Sequence, residues 1–219
     1  MFHSSDSEEG LKEQIILEAA MGEFIAHGWT GARMQAIADR AGINKTLLHY
    51  YFRSKKNLYQ RILYRVMKYF FGTVLGNIME SDSFENFLTV AIDTIVEESG
   101  RNPRLPMFLM QELSLGGKTA RVMLREVLNE QKEPITAVML GKVQKGIEEG
   151  VIRSVDPGQF ILTLIGSCLY FALAEPIIME IGSLEGFMEG FDRDGFLQKR
   201  KKEIFSVLYY GIRKGESEE

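Results

Sequence analysis

Apolar residues recur at three- and four-residue intervals along nearly the whole chain, and no window of alternating residues competes with that period. This restricts the chain to an all-α fold, with about nine helices and no internal repeat. From Leu11 to His27 the stripe is Leu11, Ile15, Ile16, Ala19, Ala20 and Phe24. Gly28 closes that helix, because glycine accepts the left-handed conformation after a last turn. Met34, Ile37, Ala38 and Ala41 mark a short second helix ended by Gly42. Asn44 supplies an N-cap for a third, which contains Leu47, Leu48 and Tyr51. Ser54 caps a longer fourth, whose apolar face includes Leu58, Ile62, Val66, Phe70 and Val74.

The same period continues past Ser81. Phe84, Phe87, Leu88, Ala91, Ile92 and Ile95 form one amphipathic helix, and Asn102-Pro103 with Pro106 opens the next. A long helical stretch from Thr119 to Glu149 is expected to bend at Pro134, and Asp156-Pro157 begins another long helix. The centre of that helix, Phe160 to Ala174, carries no charge in 15 residues. It is shorter than the roughly 20 residues needed to cross a bilayer, and Glu175-Pro176 interrupts it, so a helix buried on most sides is expected. Phe196 to Ile212 forms the last helix, striped by Ile204, Phe205, Leu208, Tyr209 and Ile212. Residues 1–10 are polar and lack the apolar run of a secretory signal, which points to a cytoplasmic protein.

Charge is distributed unevenly. The net charge is −4, but His27 to Lys68 holds nine basic residues and a single acid, Asp39, a balance of +8 in 42 residues. The remaining residues carry −12. Such asymmetry indicates two surfaces with different partners, the basic one drawing polyanions. One cysteine, Cys168, excludes an intrachain disulfide and any multi-cysteine metal site, and His3, His27 and His49 are too scattered for a metal centre.

The basic segment has an internal pattern. In Arg33 to Leu58 (RMQAIADRAGINKTLLHYYFRSKKNL) a helix of about eight residues, a tight turn at Ala41-Gly42-Ile43 and a second short helix make a helix-turn-helix. Ile37, Ala38, Ile43 and Leu48 supply the core that fixes the crossing. The second helix is too short to be stable alone and must be held by its neighbours, which leaves its other face free. That face carries Lys45, Thr46, His49 and Tyr50, groups suited to phosphate oxygens and base edges in a major groove. Lys55 stands at the start of the following helix, where ammonium and unsatisfied backbone N–H groups point the same way, and Arg33 could grip the same strand from the other side.

The stretch from Gly28 to Leu58 resembles the N-terminal DNA-binding domain of TetR-family transcriptional regulators. The matching residues are Gly28-Trp29, Ile37-Ala38, Ala41-Gly42-Ile43, Leu48-His49-Tyr50-Tyr51-Phe52, Ser54-Lys55 and Leu58. Three positions depart from the usual pattern. Ala32 stands where a hydroxyl residue often caps the second helix, leaving that cap and its phosphate contact open. Thr46 replaces a common glycine, and His49 replaces a tyrosine while keeping a hydrogen-bond donor.

The resemblance implies a three-helix DNA-binding domain in residues 1–53 and a larger helical ligand-binding and dimerisation domain in residues 54–219. The expected DNA-contacting set is Arg33, Asn44, Lys45, Thr46, His49, Tyr50, Tyr51 and Lys55. Family members are homodimers whose last two helices form a four-helix bundle, and the apolar Phe160–Ala174 and Ile204–Ile212 segments agree with that. The middle helices enclose a ligand pocket, for which Phe84, Met107, Phe108, Gln111 and Phe171 are candidate lining residues here. The implied function is that of a repressor on an inverted-repeat operator in double-stranded DNA, released when a small apolar or amphipathic effector binds, with no cofactor, no metal and no membrane partner.

Two apparent motifs dissolve on inspection. Gly117-Lys118-Thr119 ends like a phosphate loop, but the first glycine of that pattern falls on Glu112 and no strand precedes it, so Gly116-Gly117 is a helix-ending turn. Asp192-Arg193-Asp194-Gly195 faintly resembles a calcium loop whose twelfth ligand would be Lys201, a repelling charge. No nucleophile–base pair or carboxylate cluster stands out, so an enzyme is not expected.

Overall fold

The computed structural model describes residues 8–130, 134–185 and 192–214. It is 84% helical. Among the described residues ten helices follow one another: α1 Glu8–Gly31, α2 Met34–Arg40, α3 Lys45–Phe52, α4 Lys55–Met79, α5 Phe84–Arg101, α6 Arg104–Ser114, α7 Lys118–Asn129, α8 Ile135–Glu148, α9 Pro157–Glu185 and α10 Arg193–Ile212. Gly28, with φ 65° and ψ 178°, breaks α1 in two, so eleven helical segments stand where about nine were expected. Among the described residues β-pairing is limited to one isolated antiparallel bridge, between Ile152 and Arg213.

Most boundaries follow from side chains near them. Ser83 caps α5 by accepting from Asn86 N–H at 3.1 Å, and Asp156 caps α9 through Gln159 N–H at 2.8 Å. Asp192 caps α10 through the N–H groups of Asp194 and Gly195, which is what the calcium-like tetrad does. Gly116 and Gly117, with φ 89° and 62°, make the turn between α6 and α7.

Two expectations about long helices are corrected. The 119–149 stretch is not one bent rod: α7 ends at Asn129, and Pro134 is the extended N-cap of a separate α8. A proline disfavours helical geometry in the residue before it, which makes a full break easier than a bend. Glu175-Pro176 does not interrupt α9, which runs on to Glu185. A long helix tolerates one missing N–H, and Glu175 is fixed by Arg193 in two charge-assisted hydrogen bonds of 2.6 and 2.9 Å. Nor is the uncharged centre of α9 buried on most sides: only 33% of the Pro157–Glu175 window is buried within the chain. That 19-residue window also reaches, by length and composition alone, the threshold for a membrane crossing.

The chain forms two compact units. The first runs to Phe70 and takes in Met107–Glu130; the second holds Phe71–Pro106 and continues from Gln131. The first thus adds α4 as far as Phe70, most of α6 and all of α7 to the three N-terminal helices. In this unit Ile16, Phe24, Ile37, Leu48, Leu58 and Phe108 are fully buried. Tyr59 meets Phe24, Trp29 and Phe108 with ring centroids 4.9, 5.1 and 5.1 Å away. Its hydroxyl donates at 2.9 Å to Glu112, a buried carboxylate that also accepts from Thr119 N–H at 2.9 Å and Ala120 N–H at 3.0 Å. Glu112 therefore caps α7 from α6 and ties both to α4. Burial, with the adjacent Glu112, pushes the Tyr59 phenol up from its ordinary range.

In the second unit α5 is the central rod, packed by α8, α9 and α10. Phe87, Leu88, Ala91, Ile92 and Ile95 fill its inward face. Lys201 on α10 bridges Glu97 at 2.8 Å and Asp93 at 3.3 Å. Cys168 is buried on α9, and desolvation pushes its thiol up to about 12. Gly146 lets α8 approach Phe84, since a Cβ there would lie 2.9 Å from Phe84 Cδ2.

Two stability outcomes follow. Glu112→Ala, which leaves two backbone donors of α7 and the Tyr59 hydroxyl unpaired, should lower unfolding free energy by about 2–3 kcal/mol in denaturant titration, and Tyr59→Phe by about 1 kcal/mol. Because the folded state keeps the phenol protonated where the unfolded chain loses it, stability should fall as pH rises through the ordinary tyrosine range, and Tyr59→Phe should flatten that fall. On α8, Gly146→Ala should destabilise by about 1–3 kcal/mol through overpacking. Gly141→Ala meets nothing within 4 Å and should stabilise by about 0.5–1 kcal/mol.

Candidate nucleic-acid interface

The helix-turn-helix forms for local reasons visible residue by residue. Gly42, at φ 68°, turns the chain after α2, and Ile43 N–H closes the turn on the Ala38 carbonyl at 3.0 Å. Asn44 Oδ1 accepts from Leu47 N–H at 2.7 Å and starts α3. Leu48 and Phe52 anchor α3 in the core beside Ile37 and Ala38. Arg53, at φ 60°, ends it, and Ser54 Oγ accepts from Asn57 N–H at 3.1 Å to start α4.

With Leu48 and Phe52 buried, the opposite face of α3 is open. Asn44, Lys45, Thr46, His49 and Tyr50 are all exposed, and Tyr50 is 72% accessible. Tyr51 is half-buried, its ring edge-on to Tyr50 with centroids 5.7 Å apart. Arg33 is exposed at the start of α2. These seven residues share the surface around the short helix, though Asn44 has committed its side-chain oxygen to the cap.

Lys55 is held differently from a free cation. Its ammonium donates to the Ala32 carbonyl at 2.6 Å and the Thr30 carbonyl at 3.4 Å, and lies 5.2 Å from the Trp29 ring centroid. It satisfies the carbonyl end of α1 and is positioned by a cation–π contact.

Sequence reasoning left the second helix without a cap at Ala32. The side chain that serves is Glu23, buried on α1, whose Oε1 accepts from Arg33 N–H at 3.3 Å. Its signal was present: Glu23 falls in the buried register of Ile16, Ala20 and Phe24, where an acid has to find a donor.

The five candidate lining residues do not converge on one another within a unit. Met107, Phe108 and Gln111 belong to the first unit, and Phe84 and Phe171 to the second. Phe108 is fully buried against Tyr59; Phe84 packs on Phe87 and Phe160, and Phe171 on Phe196. Met107 is largely exposed, and Gln111 has a buried Oε1 without a hydrogen-bond partner. Two surface grooves of about 570 and 540 Å³ run along α5 and α10 in the second unit, around Lys201, and none of the five lines them. Among the described residues no three His, Cys, Asp or Glu side chains gather as a metal site would require.

Residues 16–62 match the family described as bacterial regulatory proteins, tetR family. The HTH-type transcriptional repressor SCO4008 of Streptomyces coelicolor is 28% identical over 166 residues, which are 76% of this chain and 80% of that one. A TetR family transcription regulator from Marinobacter aquaeolei has the same fold, with a TM-score of 0.70 at 17% identity over 94% of this chain and 98% of its own. The transcriptional regulator FadR from Bacillus subtilis, solved in complex with stearoyl-CoA, superposes with a TM-score of 0.65 at 17% identity over 91% of this chain and 99% of its own. Residues 16–62 therefore carry the domain that characterises bacterial regulatory proteins of the tetR family.

Proposed function

We propose that the protein is a cytoplasmic homodimeric repressor that holds an inverted-repeat operator and leaves it when a small apolar or amphipathic effector binds within residues 54–219. The observation that carries this reading is the open face of α3, five exposed polar or aromatic side chains on a helix whose opposite side is locked by Leu48 and Phe52. Lys45, Thr46 and Tyr50 read base edges and phosphates and His49 reads base edges; Arg33, Asn44, Tyr51 and Lys55 fix the helix on the backbone. The chain works by binding and carries out no reaction.

Support for the dimer comes from α9 and α10. Leu162, Tyr170, Ile177, Val207 and Tyr210 are each more than half exposed, a run of apolar surface on the last two helices that a two-fold partner would cover. At ~25 cal/mol per Å², covering a standard ~800 Å² per subunit is a large stabilisation. Two heads then reach successive major grooves only at one spacing, and an effector that favours another spacing lowers DNA affinity by its preference between the two states. The motion runs through α4. The relative solved with stearoyl-CoA supports an acyl-bearing or similarly amphipathic effector. Of Phe84, Met107, Phe108, Gln111 and Phe171, Gln111 has the strongest support as a contact, because an effector donor would satisfy its buried Oε1.

The test is gel shift and anisotropy titration with the DNA upstream of the protein's own gene. Binding to an inverted repeat with a steep salt slope is expected; binding that ignores sequence at low salt overturns the proposal. Lys55→Ala should weaken all sequences alike and lower the salt slope by about one, while Thr46→Ala and Tyr50→Ala change base preference. Because Lys55 also closes the Ala32 and Thr30 carbonyls, its loss should lower stability by about 1 kcal/mol. In sedimentation, Leu162→Glu combined with Val207→Glu should turn a dimer into a monomer that no longer holds the operator; a wild-type chain already monomeric at micromolar concentration defeats this part of the reading.

A further inference from the structure

The recognition helix carries one ring whose hydrogen-bonding sense is set by its own backbone. His49 Nδ1 lies 3.1 Å from the Arg53 carbonyl oxygen. A carbonyl only accepts, so Nδ1 must carry the proton in this contact. Residues 49 and 53 are tied a second time, by Arg53 N–H donating to the His49 carbonyl at 2.9 Å, and Arg53 keeps a φ of 60°. With Nδ1 protonated, the neutral imidazole presents Nε2 as a bare lone pair on the far side of the ring. His49 is exposed on the open face of α3, one turn after Lys45 and beside Tyr50.

We propose that His49 is a specificity-determining residue that accepts a hydrogen bond from an exocyclic amino group, cytosine N4 or adenine N6, in the major groove. This rests on the DNA-binding reading above. Phosphate oxygens, guanine O6 and N7 and thymine O4 are all acceptors, so a lone pair at Nε2 repels each of them. The neutral ring is therefore unsuited to clamping a phosphate, and it does not serve as the donor expected from its sequence position. Its neighbours complement it. Lys45 only donates, and the Thr46 and Tyr50 hydroxyls serve either way, so His49 is the member of this face that has to accept. A base amino group is the partner in the groove that answers it.

The experiment uses the full chain and selects binding sites from a random-sequence duplex library. The wild type should recover an inverted repeat with one position per half-site restricted to C or A on one strand. His49→Ala should relax that position about fivefold and leave the rest of the repeat unchanged, and His49→Lys, which can only donate, should turn it to G. Nitrogen chemical shifts of the ring should show His49 as the Nδ1–H tautomer, assigned against the His49→Ala spectrum. An Nε2–H tautomer, a His49→Ala motif identical at every position, or a His49→Lys motif that keeps C or A overturns the inference. A wild type that recovers no repeat overturns this inference together with the DNA-binding reading itself, whereas the first three outcomes leave that reading standing.

Discussion

An eight-residue helix cannot hold itself together in water, and everything this protein does with DNA requires α3 to be rigid. Its stability is borrowed at three points. Asn44 holds the first turn, Leu48 and Phe52 lock the middle into the core, and the double tie between His49 and Arg53 closes the end. The rest of the first unit backs this brace. The α2 cap from Glu23, the Trp29–Lys55 stack and the Tyr59–Glu112 couple each fix an element that α3 leans on, directly or one step removed.

The charge map and the packing map coincide at the head. The +8 segment lies in the first unit, where Arg61 and Arg65 pair with Glu13 and Lys68 with Glu130, while in the second unit Lys201 pairs with Asp93 and Glu97 and Arg193 with Glu175. The pairs of the second unit spend cations on holding α10 and α9 in place. Lys45 of α3, in contrast, is exposed. A partly neutralised body and an open basic head are what let an acidic protein approach a polyanion with one face.

What the sequence discloses here is set by the range of the interaction. Gly28, Gly42, Asn44, Ser54, Asp156 and the Gly116-Gly117 turn act on backbone within four residues, and each does what its residue type implies. The Leu48 and Phe52 anchors and the exposed Lys45, Thr46, His49 and Tyr50 follow from helical period alone. The interactions that escaped are long in sequence. Glu23 caps a helix ten residues away, Glu112 is met by Tyr59 from 53 residues upstream, and Arg193 steadies α9 across the chain from Glu175. None leaves a periodic trace. Pro134 and Pro176 have opposite outcomes, the first an N-cap and the second inside a continuous helix, and local sequence does not separate the two. The exposed face of α3 could be located by pattern, but the side-chain contacts made there could not, such as His49 Nδ1 lying 3.1 Å from the Arg53 carbonyl oxygen four residues on.

The buried thiol on α9 bears on what the protein can sense. With its acidity suppressed to about 12, Cys168 has almost no thiolate at any cellular pH, and the thiolate is the form that peroxides and electrophiles attack. Burial thus disfavours the reactive thiolate form of the chain's single cysteine.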